Sequence, residues 1–392
     1  MKLSSTLVAI GAAVAAASLS TVGIASASTP AAAPQVRHAA NVCAAPAKGY
    51  AACHAKVVVD SKGQPVVTAT PAGLGPADIR SAYALTASSS GGRTVAIVDA
   101  YNDPTAESDL GVYRSQYGLS ACTTANGCFR KVSQTGSTTS LPKTNAGWAT
   151  EISLDLDMVS AACPDCKILL VEATSNSFAN LGTAVNYAAT QPGVVAISNS
   201  YGGSDSAGTS AYDHPGIAVT ASTGDAGYGI ESPASFDTVV AVGGTSLTKA
   251  SNTRGWSETV WSGAGSGCST LNAKPAWQTS VTQCSGKANA DVSAVADPNT
   301  GVAVYDSTLY QGRSGWQVYG GTSASAPIIG SVYALSGNTA GYPASYTWSH
   351  ASGLNDVTSG SNGTCSPAIW CHAAVGWDGP TGLGTPNGTS AF

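Results

Sequence analysis

Charged side chains are scarce in this chain. They make up 10% of its 392 residues, with 17 Lys and Arg against 22 Asp and Glu, and the net charge is −5. Without a basic excess, the chain lacks the electrostatic footprint of a nucleic-acid-binding protein. Beyond the N-terminus no apolar run is long enough to cross a membrane. With so few carboxylates to lose on acidification, the composition is compatible with work at low pH.

The N-terminus has the pattern of an export signal. Lys2 precedes an apolar stretch at 7–17, and Ala25-Ser26-Ala27 offers a small-residue cleavage site. An N-terminal membrane anchor is the alternative, but hydroxyl residues at 18, 20 and 21 weaken that span. We therefore expect a signal peptide over 1–27 and a secreted, extracellular protein.

The ten cysteines agree with export. An even number of cysteines behind an export signal favours disulfides over metal ligands. We expect sequence neighbours to bond, although the sequence alone does not fix the connectivity. Cys163-Pro164-Asp165-Cys166 also fits a redox motif or half a zinc site, but no second CxxC or histidine pair accompanies it. The expected pairs are Cys43/Cys53, Cys122/Cys128, Cys163/Cys166, Cys268/Cys284 and Cys365/Cys371.

The chain divides into a short N-terminal part and a long globular one. We expect residues 28–72 to form a short prosegment or N-terminal extension, and residues 73–392 to form a single domain. In that domain short apolar runs alternate with helical patterns, which favours an α/β fold with a parallel sheet. Active residues of such folds gather at the carboxyl ends of the strands. The strand candidates are 94–100, 167–173, 194–200, 216–222 and 238–243, and the helix candidates are 147–162 and 178–190.

A Gly/Ser-rich octapeptide, Gly320 to Pro327, precedes the apolar run 328–335. Two glycines allow a sharp turn, and Thr322 or Ser323 can start a helix that the apolar run buries. A serine at that helix end lies near free backbone N–H groups and can become a nucleophile if a base is close. From the octapeptide alone, a loop that caps a core helix is the simpler interpretation.

A predicted helix that starts near Trp148 carries several carboxylates. Glu151 and Asp155 are four residues apart and therefore share one face. Neighbouring carboxylates can share a proton, which raises the pKa of one of them and provides a general base for acidic conditions. An exposed acidic stripe is the alternative. We expect Asp157 to point elsewhere, either into solvent or as a cap partner.

A third stretch, Gly224-Asp225, follows a predicted strand. Glycines beside an acid suit a tight loop with an outward carboxyl group. A protonated Asp225 can donate a hydrogen bond and help to stabilise an oxyanion. When this stretch is taken alone, an ordinary turn aspartate is the better explanation.

The ordered set of these motifs resembles the sedolisin family of serine-carboxyl peptidases. The set consists of Glu151-x-x-x-Asp155, Ser-Tyr-Gly-Gly at 200–203, Gly-Asp at 224–225 and Gly-Thr-Ser-Ala-Ser at 321–325. The resemblance runs from about residue 73 to the C-terminus. It implies a subtilisin-like three-layer fold with a mostly parallel central sheet.

The resemblance also assigns roles. It makes Ser323 the nucleophile, Glu151 its general base and acid, Asp155 the partner that orients Glu151, and Asp225 the protonated oxyanion donor. Asp99, which ends the first predicted strand of the domain, either extends this carboxyl chain or caps a loop. The residues implied to pair with extended peptide are Ser200, Tyr201, Gly202 and Gly203; family members often have Trp in place of Tyr201.

The C-terminal loops resemble the calcium loops of the family. Oxygen ligands suit Ca²⁺, and the resemblance implies one ion held by the side chains of Asp356 and Asp378 and by three backbone carbonyls. Those carbonyls belong to Val357, Ala374 and Gly376, with Ala374 at a position where glycine is usual.

The resemblance leads us to expect a secreted endopeptidase that hydrolyses proteins or peptides at acidic pH through an acyl-enzyme. We expect a monomer without nucleic-acid or membrane partners. Family members usually have a large prodomain, and here only the short segment 28–72 precedes the domain.

Two other functions stay open. One is a catalytically inactive binding protein on the same scaffold. The other is a Ser-His-Asp hydrolase, although no His-Gly-Thr helix start of the subtilisin type is present. Its histidine would be His38, His54, His214, His350 or His372.

Overall fold

The computed structural model describes residues 38–86 and 88–392, together with positions 1, 2, 4, 6, 7 and 9. The chain divides into two units, Met1–Val36 and Arg37–Phe392. The predicted signal peptide and the first residues of the predicted prosegment, 28–37, therefore lie largely outside the described residues. All helices and strands of the described residues belong to the second unit.

The second unit contains six α-helices and nineteen short or medium strands among the described residues. The helices are α1 (Pro76–Ala82), α2 (Ala106–Gln116), α3 (Ala146–Ala162), α4 (Phe178–Ala189), α5 (Thr322–Ser336) and α6 (Pro343–Ser349). The strands are β1 (His38–Asn41), β2 (Ala52–Cys53), β3 (Lys56–Val59), β4 (Thr94–Ala100), β5 (Phe129–Ser133), β6 (Lys167–Ala173), β7 (Val194–Asn199), β8 (Tyr201–Ser204), β9 (Ala218–Ser222), β10 (Glu231–Ser232), β11 (Val240–Lys249), β12 (Trp256–Val260), β13 (Gly267–Ala273), β14 (Gly286–Asn289), β15 (Val292–Val295), β16 (Val302–Tyr310), β17 (Arg313–Gly320), β18 (Leu354–Asn355) and β19 (Thr385–Pro386).

An eight-stranded sheet forms the centre of the fold. Its order is β12-β11-β9-β7-β4-β6-β5, and β15 also pairs with β11. All of these pairs are parallel except the β11–β12 pair at the edge. The strands read as nearly continuous apolar runs because they are buried on both faces. The predicted α/β fold with a mostly parallel sheet is confirmed. Each predicted strand and helix is present with ends within two residues of the expected bounds, except that the strand predicted over 238–243 extends to Lys249.

Two long buried helices pack on this sheet. α3 and α5 contact each other, and α5 also lies against β7, β9, β11 and β15. Asn145 caps α3 by accepting the Trp148 N–H at 3.2 Å, and every residue from Trp148 to Ala162 is buried. The prediction that Asp157 is solvated or a cap partner is wrong. Its carboxylate is buried against the neighbouring strand and accepts the Tyr305 N–H at 3.0 Å.

The N-terminal residues of this unit belong to its sheets. β1 pairs with β3, and β3 continues antiparallel onto β17 through Val57↔Tyr319 and Lys56↔Gly320. β2 pairs separately with β8, through Ala52↔Gly202 and Cys53↔Tyr201. Residues 38–59 are thus hydrogen-bonded into the domain that was predicted to begin at residue 73.

All ten cysteines form disulfides, and each bonds its predicted neighbour. The bridges are Cys43–Cys53, Cys122–Cys128, Cys163–Cys166, Cys268–Cys284 and Cys365–Cys371. A bridge closes part of the unfolded chain into a loop, which lowers the entropy gained on unfolding. Over the part of the chain that the structure describes, we find no helix with the length and apolar character of a membrane span.

Candidate active site

Ser323 lies at the start of α5, on the side where the helix leaves its first backbone N–H groups free. Gly321 caps the helix with φ of 95°, a conformation that side chains with a Cβ rarely adopt. The Ser323 side chain is fully buried, and its hydroxyl donates to the Ser200 carbonyl at 3.2 Å. Ser323 therefore lies at the start of a buried helix, as predicted from the octapeptide and the apolar run that follows it.

A proline within α5 couples this serine to the neighbouring strand. Pro327 has no N–H, so the carbonyl four residues earlier, that of Ser323, receives no helical hydrogen bond from it. The Ser200 hydroxyl donates to that carbonyl at 3.4 Å and to Asp155 Oδ1 at 2.8 Å. Ser200 thus connects the serine helix with the acidic helix.

Glu151 and Asp155 point from α3 into the same buried space. Burial raises the pKa of Glu151 well above its usual value, and the charge of Asp155 raises it further. The contact with the Ser323 hydroxyl and a hydrogen bond from the Ala55 N–H act in the opposite direction. Burial also raises the pKa of Asp155. Glu151 Oε1 and Asp155 Oδ2 receive no hydrogen bond from the described residues. The alternative of an exposed acidic stripe is therefore wrong.

Asp99 extends this acidic group. It lies near the carboxyl end of β4, is fully buried, and has no hydrogen-bond partner for either oxygen within residues 38–86 and 88–392. Burial raises its pKa well above the usual value, and Asp155 and Glu151 raise it further. A protonated carboxyl at this position avoids placing a third negative charge beside the pair.

Asp225 approaches the serine helix from the loop after β9. Its Oδ1 accepts the Thr322 N–H at 2.8 Å and the Thr322 hydroxyl at 2.9 Å. Its Oδ2 is shielded from solvent and lacks a partner in the described part of the chain. Burial raises the pKa of Asp225 above the usual value, although His54 and Lys56 lower it. A proton on Oδ2 would make this oxygen a donor beside Ser323.

The predicted peptide-binding strand is already paired. Gly202 and Tyr201 in β8 hydrogen-bond with Ala52 and Cys53 in β2, and β10 pairs with the other end of β8. After β2 the chain passes Ser323. The His54 N–H donates to the Ser200 carbonyl at 3.2 Å, and the Ala55 N–H donates to Glu151 Oε2 at 2.8 Å.

His54 and Glu231 also belong to this site. His54 was predicted only as one of five candidate histidines, and Glu231 was not predicted. His54 Nε2 lies 3.0 Å from Glu231 Oε2, and its Nδ1 lies 2.7 Å from Ser222 Oγ. The histidine contacts neither Ser323 nor Asp99 by a hydrogen bond. No local pattern around His54 indicates this position, since its partners are 168 and 177 residues away.

The predicted calcium residues lie in two adjacent loops. Asp356 Oδ2 accepts the Gly376 N–H at 2.9 Å, and Asp378 Oδ2 accepts the Ala374 N–H at 3.2 Å. Burial raises the pKa of Asp378 to about 7, with a contribution from the charge of Asp356. Asp378 Oδ1 also accepts the Thr381 N–H and the Thr381 hydroxyl, each at 2.9 Å. Carboxylate oxygens are ligands that suit a hard cation. In the described residues no cluster of three or more His, Cys, Asp or Glu side chains could hold a metal.

Taken together, the site holds a serine hydroxyl at a helix start, a buried acidic group whose pKa values are raised, and a potential donor at Asp225. This arrangement can activate a hydroxyl by a carboxylate and stabilise an oxyanion without an imidazole base.

The chain is similar to three curated peptidases. Kumamolisin of Bacillus sp. (strain MN-32) is 30% identical over 367 residues, which cover 82% of this chain and 63% of kumamolisin. Sedolisin of Pseudomonas sp. (strain 101) is 33% identical over 177 residues, 40% of this chain and 29% of that protein. Xanthomonalisin of Xanthomonas sp. (strain T-22) is 31% identical over 185 residues, 40% of this chain and 21% of that protein. The chain thus spans less than two thirds of the length of each of these relatives.

A solved structure of Pseudomonas sedolisin, a serine-carboxyl proteinase complexed with two molecules of pseudo-iodotyrostatin, has the same fold. The TM-score is 0.66 at 25% identity, and the match covers 81% of this chain and 96% of that structure. No family model matches the chain.

Proposed function

The chain belongs to the sedolisin family, and from that premise we propose that it is a secreted serine-carboxyl endopeptidase that hydrolyses proteins or peptides under acidic conditions. The observation that carries the proposal is the set of buried carboxyl groups around one serine. Oxygens of Glu151, Asp155 and Asp225 lack hydrogen-bond partners in the described residues, and all three pKa values are raised.

The first step uses Glu151 as the base. Ser323 Oγ attacks the peptide carbonyl carbon while Glu151 takes the hydroxyl proton, and a tetrahedral intermediate forms. Asp155 and Asp99 hold a proton beside Glu151, so that only one negative charge needs to reside in the buried group. Breaking the C–N bond transfers the proton from Glu151 to the leaving nitrogen and leaves an acyl-enzyme. Water then releases the acid product through the same groups.

Asp225 supplies the oxyanion donor in its protonated form. A carboxylic acid donates through O–H, whereas a carboxylate can only accept. Because burial raises the pKa of Asp225, the donor persists above the usual range and disappears as the pH rises through the folded-state pKa. We therefore expect activity in acid and its loss toward neutrality.

Backbone pairing provides substrate binding. An extended peptide would pair with β8, over Ser200, Tyr201, Gly202 and Gly203, in the place that β2 occupies in this structure, with main-chain hydrogen bonds that do not depend on sequence. The fully buried Tyr201 donates to Asn199 at 2.7 Å and therefore supports the strand from inside. We propose that the enzyme acts as a monomer, with no nucleic-acid or membrane partner.

A calcium ion would stabilise the C-terminal loops. Asp356 and Asp378 would provide carboxylate oxygens, and Val357, Ala374 and Gly376 would provide carbonyl oxygens. Bound there, Ca²⁺ would neutralise two adjacent carboxylates and hold the loops together. No catalytic step requires it.

The test is a pH–rate profile on denatured protein for wild type, Ser323→Ala and Glu151→Gln. We expect wild-type activity at acidic pH and a loss of at least about 10³-fold in both variants, because nucleophile and base act as a unit. Circular dichroism and thermal melting would verify folding. Full activity in either variant would refute the assigned roles, and binding of protein without cleavage at any pH would support the inactive-scaffold alternative.

One contact pattern favours a second candidate. Ser222, His54 and Glu231 have the connectivity of a Ser–His–acid triad. Ser222, however, is buried at the end of β9 and also lies 3.4 Å from the Asn199 carbonyl, to which its hydroxyl can donate. Under this candidate Ser222→Ala would abolish hydrolysis and activity would rise above neutral pH, whereas our proposal predicts continued acid hydrolysis in Ser222→Ala.

A further inference from the structure

Residues 52–55 run through the cleft of the proposed peptidase as an extended segment paired with β8. Ala52 and Cys53 pair antiparallel with Gly202 and Tyr201, and the next N–H, that of His54, donates to the Ser200 carbonyl at 3.2 Å. Main-chain pairing of this kind is how an extended peptide binds to a sheet edge. The chain therefore occupies its own peptide-binding strand.

The register places one peptide bond at the reactive groups. A Cβ on Gly321 would overlap the His54 carbonyl oxygen and would lie 2.7 Å from Asp225 Oδ2, so both oxygens face the same space beside the serine helix. On the other side of that bond, the Ala55 nitrogen donates to Glu151 Oε2 at 2.8 Å. The carbonyl thus faces the oxyanion donor, and the nitrogen faces the group that would protonate it.

The His54 side chain fills a pocket that matches an imidazole. Nε2 lies 3.0 Å from Glu231 Oε2 and Nδ1 lies 2.7 Å from Ser222 Oγ, so both ring nitrogens have an oxygen partner. A Cβ on Gly202 would lie 2.6 Å from the ring carbon Cε1 and 2.7 Å from Glu231 Oε2. Glycine at 202 therefore makes the space that the ring and the carboxylate occupy.

The charge of this pocket matches its occupant. Burial alone would lower the pKa of His54, but the Glu231 carboxylate and its hydrogen bond outweigh that effect and raise it. Under acidic conditions both nitrogens carry protons, and each donates to one of the two oxygens. His54 is only 6% exposed and Glu231 28% exposed, so water screens this ion pair weakly.

We propose that the pocket formed by Gly202, Ser222 and Glu231 selects histidine on the carbonyl side of the cleaved bond, and that the His54–Ala55 bond of the chain itself is such a substrate. The inference rests on the proposed peptidase function and adds its side-chain selectivity. A lysine or arginine would satisfy the charge of Glu231, but it would not provide the ring nitrogen that faces Ser222.

The reaction on the chain itself follows the proposed steps. Ser323 Oγ bonds to the His54 carbonyl carbon and gives its proton to Glu151. The C–N bond to Ala55 breaks as Glu151 returns that proton to the nitrogen. Water then hydrolyses the ester, which leaves a carboxyl group on His54, an amino group on Ala55 and a restored serine.

The cut leaves two parts with different fates. Cys43 and Cys53 both lie before the cut, so their disulfide does not tie the segment before the cut to the domain. After the cut, only non-covalent contacts such as the pairing of β1 with β3 hold that segment. Residues after the cut stay, because Lys56 and Val57 pair with Gly320 and Tyr319 of β17. The mature chain would begin at Ala55, within the segment 28–72 that the sequence assigned to a prosegment or extension.

Two measurements test the proposal. The first compares kcat/KM on peptides that differ only in the residue before a fixed Ala, with His, Lys, Gln or Leu at that position. We expect wild type to favour His by at least about 10-fold, which is typical of a hydrogen bond to a charged group. Glu231→Gln should lose most of this preference while still cleaving the Leu peptide. Glu107→Gln, whose carboxylate contacts Thr124 away from the cleft, is the matched control.

The second measurement is the N-terminal sequence and intact mass after acidification. Wild type should begin at Ala55, and Ser323→Ala should retain residues before it until active enzyme is added. Three results would overturn this inference alone, provided that the enzyme still digests denatured protein. They are the lack of a preference for His, an unchanged preference in Glu231→Gln, and a His54–Ala55 bond that stays intact. If denatured protein also stayed intact, the proposed function would fail with it.

Discussion

Replacement of Glu172 by glutamine should reduce the loss of stability that this protein undergoes as the pH rises from 4 to 7. Glu172 lies near the carboxyl end of β6 and is fully buried. Its Oε1 accepts the Asp103 N–H at 2.9 Å and lies 3.7 Å from Lys131 Nζ, while Oε2 has no partner in the described residues. Burial raises the pKa of Glu172 to about 8, although Lys131 and the Asp103 N–H oppose the shift.

The sign and size of the effect follow from proton linkage. A carboxyl whose pKa is raised on folding stabilises the protein below its unfolded pKa, and that contribution disappears as the pH rises through the folded pKa. For Glu172 the window runs from the ordinary pKa of 4.5 to about 8. Each pH unit within it removes about 1.4 kcal/mol, so a rise from pH 4 to 7 removes about 3 kcal/mol from the free energy of unfolding.

Glutamine cannot ionise in either state and keeps a carbonyl oxygen for the Asp103 N–H. We therefore expect Glu172→Gln to match the reference chain at pH 4 and to be more stable by about 3 kcal/mol at pH 7. Denaturant unfolding at both pH values measures this difference, with Ser323→Ala as the background to prevent self-digestion. Glu107→Gln in the same background is the control for removal of a surface carboxylate.

Equal pH dependence with and without Glu172 would refute this reasoning. It would mean that the carboxyl is ionised in the folded protein, held by Lys131 rather than by a proton. The Glu107→Gln chain should follow the reference chain at both pH values, and a difference there would indicate a general charge effect instead.

Three further predictions concern the site and its supports. Ser200→Ala removes the donor to Asp155 and should lower kcat by roughly 10-fold with little change in KM, as steady-state kinetics would measure. Gly202→Ala places a Cβ within 2.7 Å of Glu231 and should abolish the preference for histidine while peptides with alanine at that position are still cleaved. Removal of calcium with a chelator should destabilise the chain by about 3 kcal/mol if the ion was present at about 100 times its Kd, and the effect should be absent in Asp378→Asn.

Each of these has an outcome that would contradict it. A Ser200→Ala enzyme with a raised KM and normal kcat would place Ser200 in substrate binding alone. An unchanged histidine preference in Gly202→Ala would show that the ring lies elsewhere in real substrates. A chelator effect of equal size in wild type and Asp378→Asn would remove Asp378 from the calcium site.

The local patterns of the chain predicted much of its architecture. Strands such as 94–100 and 167–173 were predicted with their observed bounds, because buried parallel strands are continuous apolar runs. The start of α5 followed from turn chemistry, since Gly321 needs a positive φ. The spacing of Glu151 and Asp155 already placed both on one helix face. These features depend on a few consecutive residues, which a sequence displays directly.

The sequence did not predict which individual polar groups are buried. Asp157 was expected in solvent or at a cap, yet it is buried and accepts the Tyr305 N–H. Asp99 had two equal interpretations, and only its position beside Asp155 distinguishes them. A carboxylate on a helix has the same sequence pattern whether a strand from another part of the chain covers it or not.

The sequence by itself determined five strands of the central sheet, the helices at 147–162 and 178–190, which cysteines are neighbours, and a buried helix that starts at Thr322 or Ser323. Only the tertiary structure decided that residues 52–55 lie in the cleft and that His54 meets Ser222 and Glu231, 168 and 177 residues away. The reason is physical. Local preferences act within a turn of helix or a few strand residues, whereas a pocket depends on how distant segments pack, and that is set by the topology of the whole sheet.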